Sequence, residues 1–405
     1  MIFGAMIGRR KTIGPLGGLR VIDVTQMLAG PYCTWLLGGL GADVIKVERP
    51  GQGDFTRSIG PFLGGHSLYF LSVNRNKRSL TLNLKTEAGR EILKRLATTA
   101  DIFVENYRPG VMERLGLGYD DLAAVNPRLV YASVSGYGHT GPYRARPAFD
   151  LIVQALSGMM SVTGEPDRPP VRVGVSIGDI AASLFAAVGI LAALQERGRT
   201  GLGTFVDVSM LDCQLALLEN AIGRLLNAGE LPMRLGSRHP LIVPFQAFPT
   251  QDDPIVVCVD TENQWRRFCS AIGRDDLLHD ARFRDGTARA SHHADLEPIL
   301  ADVFRSRGSR VWLQILDEAD VPCAPINTVA AAVRDPQVRA RGMIVEVDIP
   351  DRGRAGFAGI PIRTSSYTPR HETPPPRLGE HTRCLLEEIG FSGDEINRLQ
   401  LDGII

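Results

Sequence analysis

Short apolar runs alternate with amphipathic stretches along the first half of the chain. After Leu19, strand-like runs rich in β-branched residues read L-R-V-I-D-V, A-D-V-I-K-V-E, R-S-L-T-L-N-L, D-I-F-V-E-N and L-V-Y-A-S-V. The stretches between them place apolar residues at helical spacing, as in T-E-A-G-R-E-I-L-K-R-L-A-T-T-A, where Thr86 is suited to cap a helix. This alternation predicts an α/β fold in which helices wrap a parallel sheet in a Rossmann-like layout.

The later part of the chain predicts a second, smaller domain of the α+β class. Two helical patterns, around residues 179–197 and 211–227, precede it, and the second of them can serve as a linker. From Arg234 onward, a hairpin pattern with an Asp-Asp-Pro turn is followed by further helices. We therefore expect a large domain over residues 1–205 and 340–405. Linker helices and a small domain are expected over residues 206–339.

Charge, cysteine content and missing motifs narrow the function classes. Lys plus Arg and Asp plus Glu each account for 45 of the 405 residues, so no global field draws the chain to nucleic acid or to an anionic membrane. The six cysteines are scattered without a C-x-x-C pair, which argues against a zinc site and favours a reducing cytoplasm. The fingerprint G-x-G-x-x-G is missing after the first strand, so NAD binding is not supported.

Two segments bear on targeting. Residues 1–12 place their charges after a very short apolar stretch, which reverses the order of a secretory signal, and we expect a loose extension there. The apolar run over residues 180–194 is shorter than the roughly 20 residues that cross a membrane. We expect it to form a buried helix and predict no membrane association.

The segment P-V-R-V-G-V-S-I-G-D-I-A-A-S holds two candidate nucleophiles. Gly174 to Gly178 fit the pattern G-x-S-x-G, which presents a serine on a strained turn between a strand and a helix. Only V-R-V separates Pro170 from Gly174, however, and the helical pattern begins after Gly178, later than such a turn requires. A chance match at Ser176 is the better interpretation, although histidines later in the sequence leave a serine hydrolase as an alternative.

Asp179 stands where the apolar helix begins, and it admits two readings. As a helix cap, an aspartate contributes on the order of 1 kcal/mol to helix stability. As a nucleophile, a carboxylate with an ordinary pKa near about 3.9 is ionised at neutral pH and can attack an acyl group without a general base. The helix N-terminus favours its charge, and the small residues on either side can leave space for a substrate. A non-catalytic binding protein with Asp179 as a cap stays open at this point.

Several further segments, taken in order, give the chain a family resemblance. These are A-G-P-Y-C-T, L-G-A-D-V-I-K-V-E-R-P-G-Q-G-D, N-R-N-K-R-S-L-T-L-N-L-K, V-E-N-Y-R-P-G-V-M-E-R-L-G-L, N-P-R-L-V-Y-A-S-V-S-G-Y-G and G-V-S-I-G-D-I-A. Together they resemble the family III CoA-transferases, a group whose fold is shared by the α-methylacyl-CoA racemases. The match runs from P-L-G-G-L-R-V-I-D-V-T to the terminal L-G-E-H-T.

The resemblance implies a reaction and a site. It makes Asp179 the covalent nucleophile that passes CoA between carboxylic acids, with CoA and acyl-CoA as substrates and with neither a metal nor a resident cofactor. It also implies a CoA-binding set at the ends of the strands: Arg49, Leu82, Lys85, Asn106, Tyr107, Arg108 and Arg114. Singly, each basic member reads as a solvated charge at a helix end. Gathered at one sheet edge, they are better explained by the phosphates of CoA.

The sequence also departs from parts of the family. Leu28 stands where formyl-CoA transferase has a glutamine, and no glycine-rich lid is found, which argues against formate and oxalate as substrates. Racemases carry a G-H-D motif where this chain reads Ala148-Phe149-Asp150, so a same-fold racemase is the second choice. By resemblance alone, we expect an interlocked homodimer in the cytoplasm that exchanges CoA between succinyl-CoA and another dicarboxylate.

Overall fold

A computed structural model describes residues 13–349, 353–369 and 373–405. The extension predicted at residues 1–12 lies outside the described residues. Contacts divide the chain into two compact units: unit 1 comprises residues 1–159, 172–230 and 340–405, and unit 2 comprises residues 160–171 and 231–339. In this division the helices after Ser209 fall in unit 1, whereas the sequence analysis places them with the second region.

Unit 1 is built on a six-stranded sheet in which all neighbouring strands are parallel, in the order β5-β2-β1-β6-β7-β8. Its strands in chain order are β1 (Arg20–Asp23), β2 (Asp43–Glu48), β5 (Lys77–Thr81), β6 (Ile102–Glu105), β7 (Val130–Ser135) and β8 (Phe205–Ser209). Two antiparallel pairs complete the strands of this unit: β3 (Phe62–Leu63) with β4 (His66–Ser67), and β12 (Ile344–Ile349) with β13 (Gly353–Ala358). The predicted α/β class with a parallel sheet is confirmed.

Helices cover both faces of this sheet. In chain order the helices of this unit are α1 (Ala29–Gly39), α2 (Leu68–Val73), α3 (Glu87–Ala97), α4 (Val111–Arg114), α5 (Tyr119–Val125), α6 (Asp150–Ser157), α8 (Ile177–Thr200), α9 (Met210–Leu217) and α10 (Glu219–Ala228), with α17 (Thr382–Glu388) and α18 (Gly393–Leu401) near the C-terminus. The short helix α7 (Met159–Val162) crosses the boundary into unit 2. The helix predicted over residues 211–227 is thus two helices, because Leu218 between them leaves helical geometry.

Alternating strand residues explain the layers. Val21 on β1 packs into a core with α1 and α8, whereas its neighbour Ile22 packs into a second core with α3, α5, α17 and α18. Both residues are fully buried. Successive side chains of a strand point to opposite faces, so a sheet covered by helices on both sides buries every strand position. The charged residues of β1 and β2 are therefore buried too and are paired within the protein, as Arg20 is with Asp43.

Helix α8 is longer than its apolar run indicates. It has 24 residues and is long and apolar enough, by length and composition alone, to cross a membrane. The shorter length indicated by the apolar run over residues 180–194 is therefore wrong. In unit 1 its small residues Ala182 and Ala186 and its Ile190 are fully buried against the core of α1 and the sheet. Its first turn carries Asp179.

Unit 2 contains a three-stranded antiparallel sheet in the order β11-β10-β9. The strands are β9 (Phe245–Phe248), β10 (Ile255–Cys258) and β11 (Cys323–Pro325), and the helices are α11 (Glu262–Ala271), α12 (Gly286–Ser291), α13 (His293–Phe304), α14 (Ser309–Glu318), α15 (Val329–Ala332) and α16 (Pro336–Ala340), the last of which ends at the unit boundary. Strands β9 and β10 form the hairpin whose turn carries Asp252 and Asp253. Its own core, around Trp265 and Phe268, is separate from those of unit 1.

Candidate active site

Two cavities lie along the carboxyl ends of the unit 1 strands, where ligands of parallel sheets commonly bind. The first has a volume of about 390 Å³ and the second about 310 Å³. Gln26 and Tyr107 line both of them, and the Gln26 Nε2 donates a hydrogen bond to the Tyr107 hydroxyl at 3.2 Å. The cavities are therefore neighbours with a shared wall.

The sequence-predicted residues divide between these cavities. The first cavity is lined by Arg49, Leu82, Lys85, Tyr107 and Arg114. The second is lined by Asn106, Tyr107, Arg108 and Asp179. The eight predicted positions are thus brought together around one shared wall, although they come from loops and helices far apart in the sequence.

Asn106 has a structural task in this arrangement. Its Oδ1 accepts the backbone N–H of Gln26 at 2.8 Å, and its Nδ2 donates to the Gln26 carbonyl at 2.7 Å. The next residue, Met27, has a φ of 67°, a backbone conformation that residues other than glycine adopt at a cost in free energy. The backbone N–H of Met27 is bonded to Asp54, which is itself paired with the buried Lys46 at 2.8 Å. The loop after β1 is therefore held from two sides.

Asp179 faces the second cavity from the first turn of α8. Ser176 is the residue that precedes the helix, so the interpretation of Asp179 as an N-cap is wrong. Its carboxylate makes no hydrogen bond or ion pair with any part of the chain that the structure describes, since only its backbone carbonyl is engaged, by Ser183. Burial, and secondly the charge of Asp150, raise the pKa of Asp179 to about 7. Full ionisation at neutral pH, expected from the ordinary pKa, is therefore not what this environment gives.

A buried polar network fixes the segment before Asp179. Asp150 on α6 accepts the backbone N–H of Gly178 at 2.8 Å, and Gln154 donates to the other oxygen of Asp150 at 2.8 Å. Gln154 also accepts the backbone N–H of Val173 at 2.9 Å. The sequence analysis missed this network. Its signal is the i, i+4 pair of Asp150 and Gln154 on one helix face.

The small residues near Asp179 serve packing. A Cβ on Gly178 would overlap the side-chain amide of the fully buried Gln214 and lie 3.1 Å from Asp150 Oδ1. Ala182 and Ser183 are fully buried, and the Ser183 hydroxyl donates to the Ala29 carbonyl at 2.6 Å. The expectation that these residues leave space for a substrate is therefore wrong, whereas Gly174 does face open space.

Ser176 lacks the partners of a hydrolase nucleophile. Its side chain makes no capping bond, and no histidine among residues 13–349, 353–369 and 373–405 is hydrogen-bonded to it. His371, one of the histidines weighed for a triad, lies outside the described residues. The geometry near Ser176 does not favour the hydrolase alternative.

Three further side chains of the second cavity were not singled out from the sequence. Tyr69 at the start of α2 lies near Asp179, and burial, followed by the charge of Asp179, raises the pKa of Tyr69 to about 12. Arg144 and Arg146 reach the cavity from the loop between β7 and α6. Nothing in their local sequence distinguishes them from solvated arginines.

Comparisons with known proteins decide the family. The family model for CoA-transferase family III matches residues 16–382. The chain belongs to CoA-transferase family III. It is accordingly a CoA-transferase enzyme whose substrates are CoA thioesters.

Curated relatives cover nearly the whole chain. An acetyl-CoA:oxalate CoA-transferase of Acetobacter aceti is 43% identical over 94% of this chain and 97% of its own length. The succinyl-CoA:glutarate CoA-transferase of Mus musculus is 40% identical over 96% of this chain and 90% of its own. The succinyl-CoA:mesaconate CoA-transferase of Haloarcula hispanica is 40% identical over 96% of this chain and all of its own. All three relatives are named for the transfer of CoA between carboxylic acids.

Solved structures of the family support the fold. A CAIB/BAIF family protein from Brucella suis has a TM-score of 0.81 at 38% identity, covering 93% of this chain and 99% of its own. A hypothetical protein of Mycobacterium tuberculosis, Rv3272, has a TM-score of 0.83 at 35% identity, covering 92% and 99%. The similarity therefore extends over both units.

Proposed function

We propose that Asp179 is the covalent nucleophile of an acyl-CoA:carboxylate CoA-transferase. The observation that carries this proposal is the position of an unpartnered, partly buried carboxylate in the second cavity, beside a first cavity with three basic side chains. Attack on a thioester needs a carboxylate that is reachable and free of strong partners, because an ion pair or several hydrogen bonds would lower its nucleophilicity. Asp179 meets both conditions.

The first cavity suits the phosphates of CoA. Arg49, Lys85 and Arg114 supply positive charge there, and guanidinium and ammonium groups are the usual protein partners of phosphate. The pantetheine arm then passes Gln26 and Tyr107 on the shared wall and brings the thioester to Asp179. Leu82 provides an apolar surface in the first cavity, while Asn106 acts by holding the Gln26 loop, and Arg108 meets the ligand at the second cavity.

The reaction follows as a relay of acyl transfers. An Asp179 oxygen attacks the thioester carbon, the C–S bond breaks, and a mixed anhydride and CoA thiolate result. The thiolate attacks the Asp179 carbonyl carbon, which releases the donor acid as a carboxylate and leaves an aspartyl-CoA thioester. The acceptor carboxylate attacks that carbon and expels the thiolate, forming a second anhydride. The thiolate then attacks the acceptor's carbonyl carbon, which yields the new acyl-CoA and restores the Asp179 carboxylate.

The substrate pair we favour is succinyl-CoA with a second dicarboxylic acid. Relatives named for glutarate and mesaconate support a dicarboxylate acceptor. A relative named for acetyl-CoA and oxalate argues against excluding oxalate on the basis of Leu28 and the missing glycine-rich lid. Oxalate therefore stays among the acceptors to be tried.

A racemase of the same fold is the second candidate. It needs a second acid/base group beside Asp179, and Ala148-Phe149 supplies none. Asp150, the one further carboxylate on the wall of this cavity among the described residues, already accepts hydrogen bonds on both oxygens. The test is exchange of the α-proton of a 2-methylacyl-CoA with deuterium from solvent. Exchange that is faster than CoA transfer would favour the racemase.

The assembly and location are also proposals. Helix α8 leaves Leu184, Phe185 and Val188 exposed, and an apolar surface of this kind is suited to a second copy of the chain. This supports the interlocked homodimer implied by the family resemblance. All six cysteines are free, as a reducing cytoplasm requires.

Replacement of Asp179 tests the proposal. We expect Asp179→Ala to lose at least about a thousandfold in turnover of succinyl-CoA with glutarate, because the carboxylate that carries the acyl group and then CoA in this relay is removed. Asp212→Asn, an exposed carboxylate on α9, is the matched control and should keep activity. Full turnover by Asp179→Ala would refute the proposal.

A further inference from the structure

The cavity of Asp179 carries a pair of arginines that the reaction described above does not use. Arg144 and Arg146 line it from the loop that joins β7 to α6. The loop turns tightly, with the Arg144 N–H bonded to the Gly141 carbonyl at 3.5 Å and the Arg146 N–H to the Tyr143 carbonyl at 2.8 Å. Both arginines therefore line the same cavity as Asp179.

These two arginines differ from the arginines of unit 1 that are paired within the protein. Arg57, Arg78 and Arg197 each pair with a carboxylate of the protein. Neither Arg144 nor Arg146 forms an ion pair within the part of the chain that the structure describes, and both are exposed toward the cavity and solvent. The Arg146 guanidinium lies over the Tyr143 ring, 3.9 Å from its centroid, which limits its rotation. Their charge is available to a ligand.

The chemistry of the cavity specifies what that ligand must be. An acceptor acid reacts through one carboxylate, which has to reach the carbonyl carbon of Asp179. A second carboxylate on the same molecule would then sit in a cavity that already contains Asp150 and Asp179, and its charge needs compensation. Guanidinium groups bind carboxylates through paired hydrogen bonds, so two of them on the wall favour a dianionic substrate over a monoanionic one.

We propose that Arg144 and Arg146 determine specificity by binding the distal carboxylate of a dicarboxylic acceptor. This inference rests on the proposed function, because it takes the reacting carboxylate to be at Asp179. Arg108, on the same cavity, is assigned to CoA and is not part of the pair. The pair belongs to the loop before α6, so it can vary without disturbing the core of the sheet.

Matched acceptors isolate the distal charge. Glutarate and glutaramate, or succinate and succinamate, differ only in whether the far end is a carboxylate or an amide. With saturating succinyl-CoA, we expect the wild-type enzyme to prefer the diacid in kcat/KM. The double variant Arg144→Gln/Arg146→Gln should lose at least about tenfold for the diacid, through KM, while the amide acceptor changes less than about twofold. Arg199→Gln, an exposed arginine at the opposite end of α8, is the control and should keep the preference.

Other results would overturn the inference. A wild-type enzyme without preference for the diacid would do so, and so would a double variant in which both acceptors fall equally. Weaker binding of free CoA to the double variant, measured by calorimetry, would assign the arginines to CoA and contradict the inference. Asp179→Ala distinguishes failure of the proposed function from failure of this inference. If Asp179→Ala keeps turnover, the proposed function fails. If Asp179→Ala is inactive but the double variant keeps the preference for the diacid, only the role of the arginine pair is refuted.

Discussion

Asp150 accepts the backbone N–H of Gly178 at 2.8 Å, one residue before Asp179. This bond ties the first turn of α8 to α6, and the same carboxylate adds negative charge beside Asp179. Asp150 therefore acts on Asp179 in two ways. Its hydrogen bond holds the helical turn that carries Asp179, and its charge raises the pKa of Asp179.

The charge of Asp150 predicts a change in the pH profile. Burial and this charge raise the pKa of Asp179 to about 7, and only the ionised form can attack a thioester. We expect kcat/KM for succinyl-CoA to rise with pH through about 7 in the wild-type enzyme. Asp150→Asn should move this limb to lower pH, because one of the causes that raise the pKa is removed while Asn can still accept the Gly178 N–H. The control Asp212→Asn should leave the limb in place, and an unmoved limb in Asp150→Asn would contradict this assignment.

Asp179 also predicts a dependence of stability on pH. Its pKa is about 7 in the folded chain and near 3.8 when unfolded, so between these values the folded chain holds a proton that the unfolded chain has lost. Stability therefore falls as pH rises through this window. Asp179→Asn removes the effect and should raise the free energy of unfolding at pH about 8 by about 1–3 kcal/mol, with little change at pH about 4. The free energy of unfolding is measured with denaturant at both pH values. If Asp179→Asn changes it equally at the two, the raised pKa of Asp179 in the folded chain is contradicted.

The two glycines on either side of Ser176 should respond differently to alanine. Alanine normally stabilises a helix relative to glycine. At Gly178 a Cβ would meet the buried Gln214 and Asp150, so we expect Gly178→Ala to cost about 1–3 kcal/mol and to reduce turnover by displacing Asp179. Gly174→Ala, where a Cβ meets nothing within 4 Å, should change stability by less than about 0.5 kcal/mol. Thermal unfolding and kcat of both variants check this contrast.

The first cavity predicts where CoA binds. We expect Lys85→Ala and Arg114→Ala each to raise the Kd for free CoA by roughly tenfold, because each removes one charged partner of a phosphate. The effect should shrink as ionic strength rises. Lys94→Ala, whose partner is Glu91 outside both cavities, is the control. Calorimetric titration with CoA is suitable, and unchanged affinity in both variants would move the phosphates elsewhere.

The sequence predicted the large sheet well for a physical reason. Strands buried on both faces carry adjacent apolar residues, and β1, β2 and β6 do so at Val21–Ile22, Val44–Ile45 and Ile102–Val104, so these runs stand out from the amphipathic helices. The order of the strands is set by packing between distant segments. Nothing local to Phe205–Ser209 indicates that this strand ends the sheet beside β7.

The site was predictable only in part. Asp179 and the basic residues of the first cavity could be named from the motifs that carry the family resemblance. The pKa of Asp179 could not, because it depends on burial and on Asp150, which lies 28 residues before Gly178 in sequence and is hydrogen-bonded to it in space. The alternative of a cap at Asp179 fails for a similar reason: the helix begins at Ile177, about one turn before the apolar run that starts at Ile180.

The most direct test of the central claim is chemical trapping of the acyl-enzyme. Purified enzyme is mixed with succinyl-CoA and hydroxylamine, digested, and its peptides are sequenced by mass spectrometry. We predict an aspartyl hydroxamate at Asp179 that requires succinyl-CoA, together with loss of activity in proportion to the modification. Modification at Ser176 or at another residue, or full inactivation with an unmodified Asp179, would contradict the account.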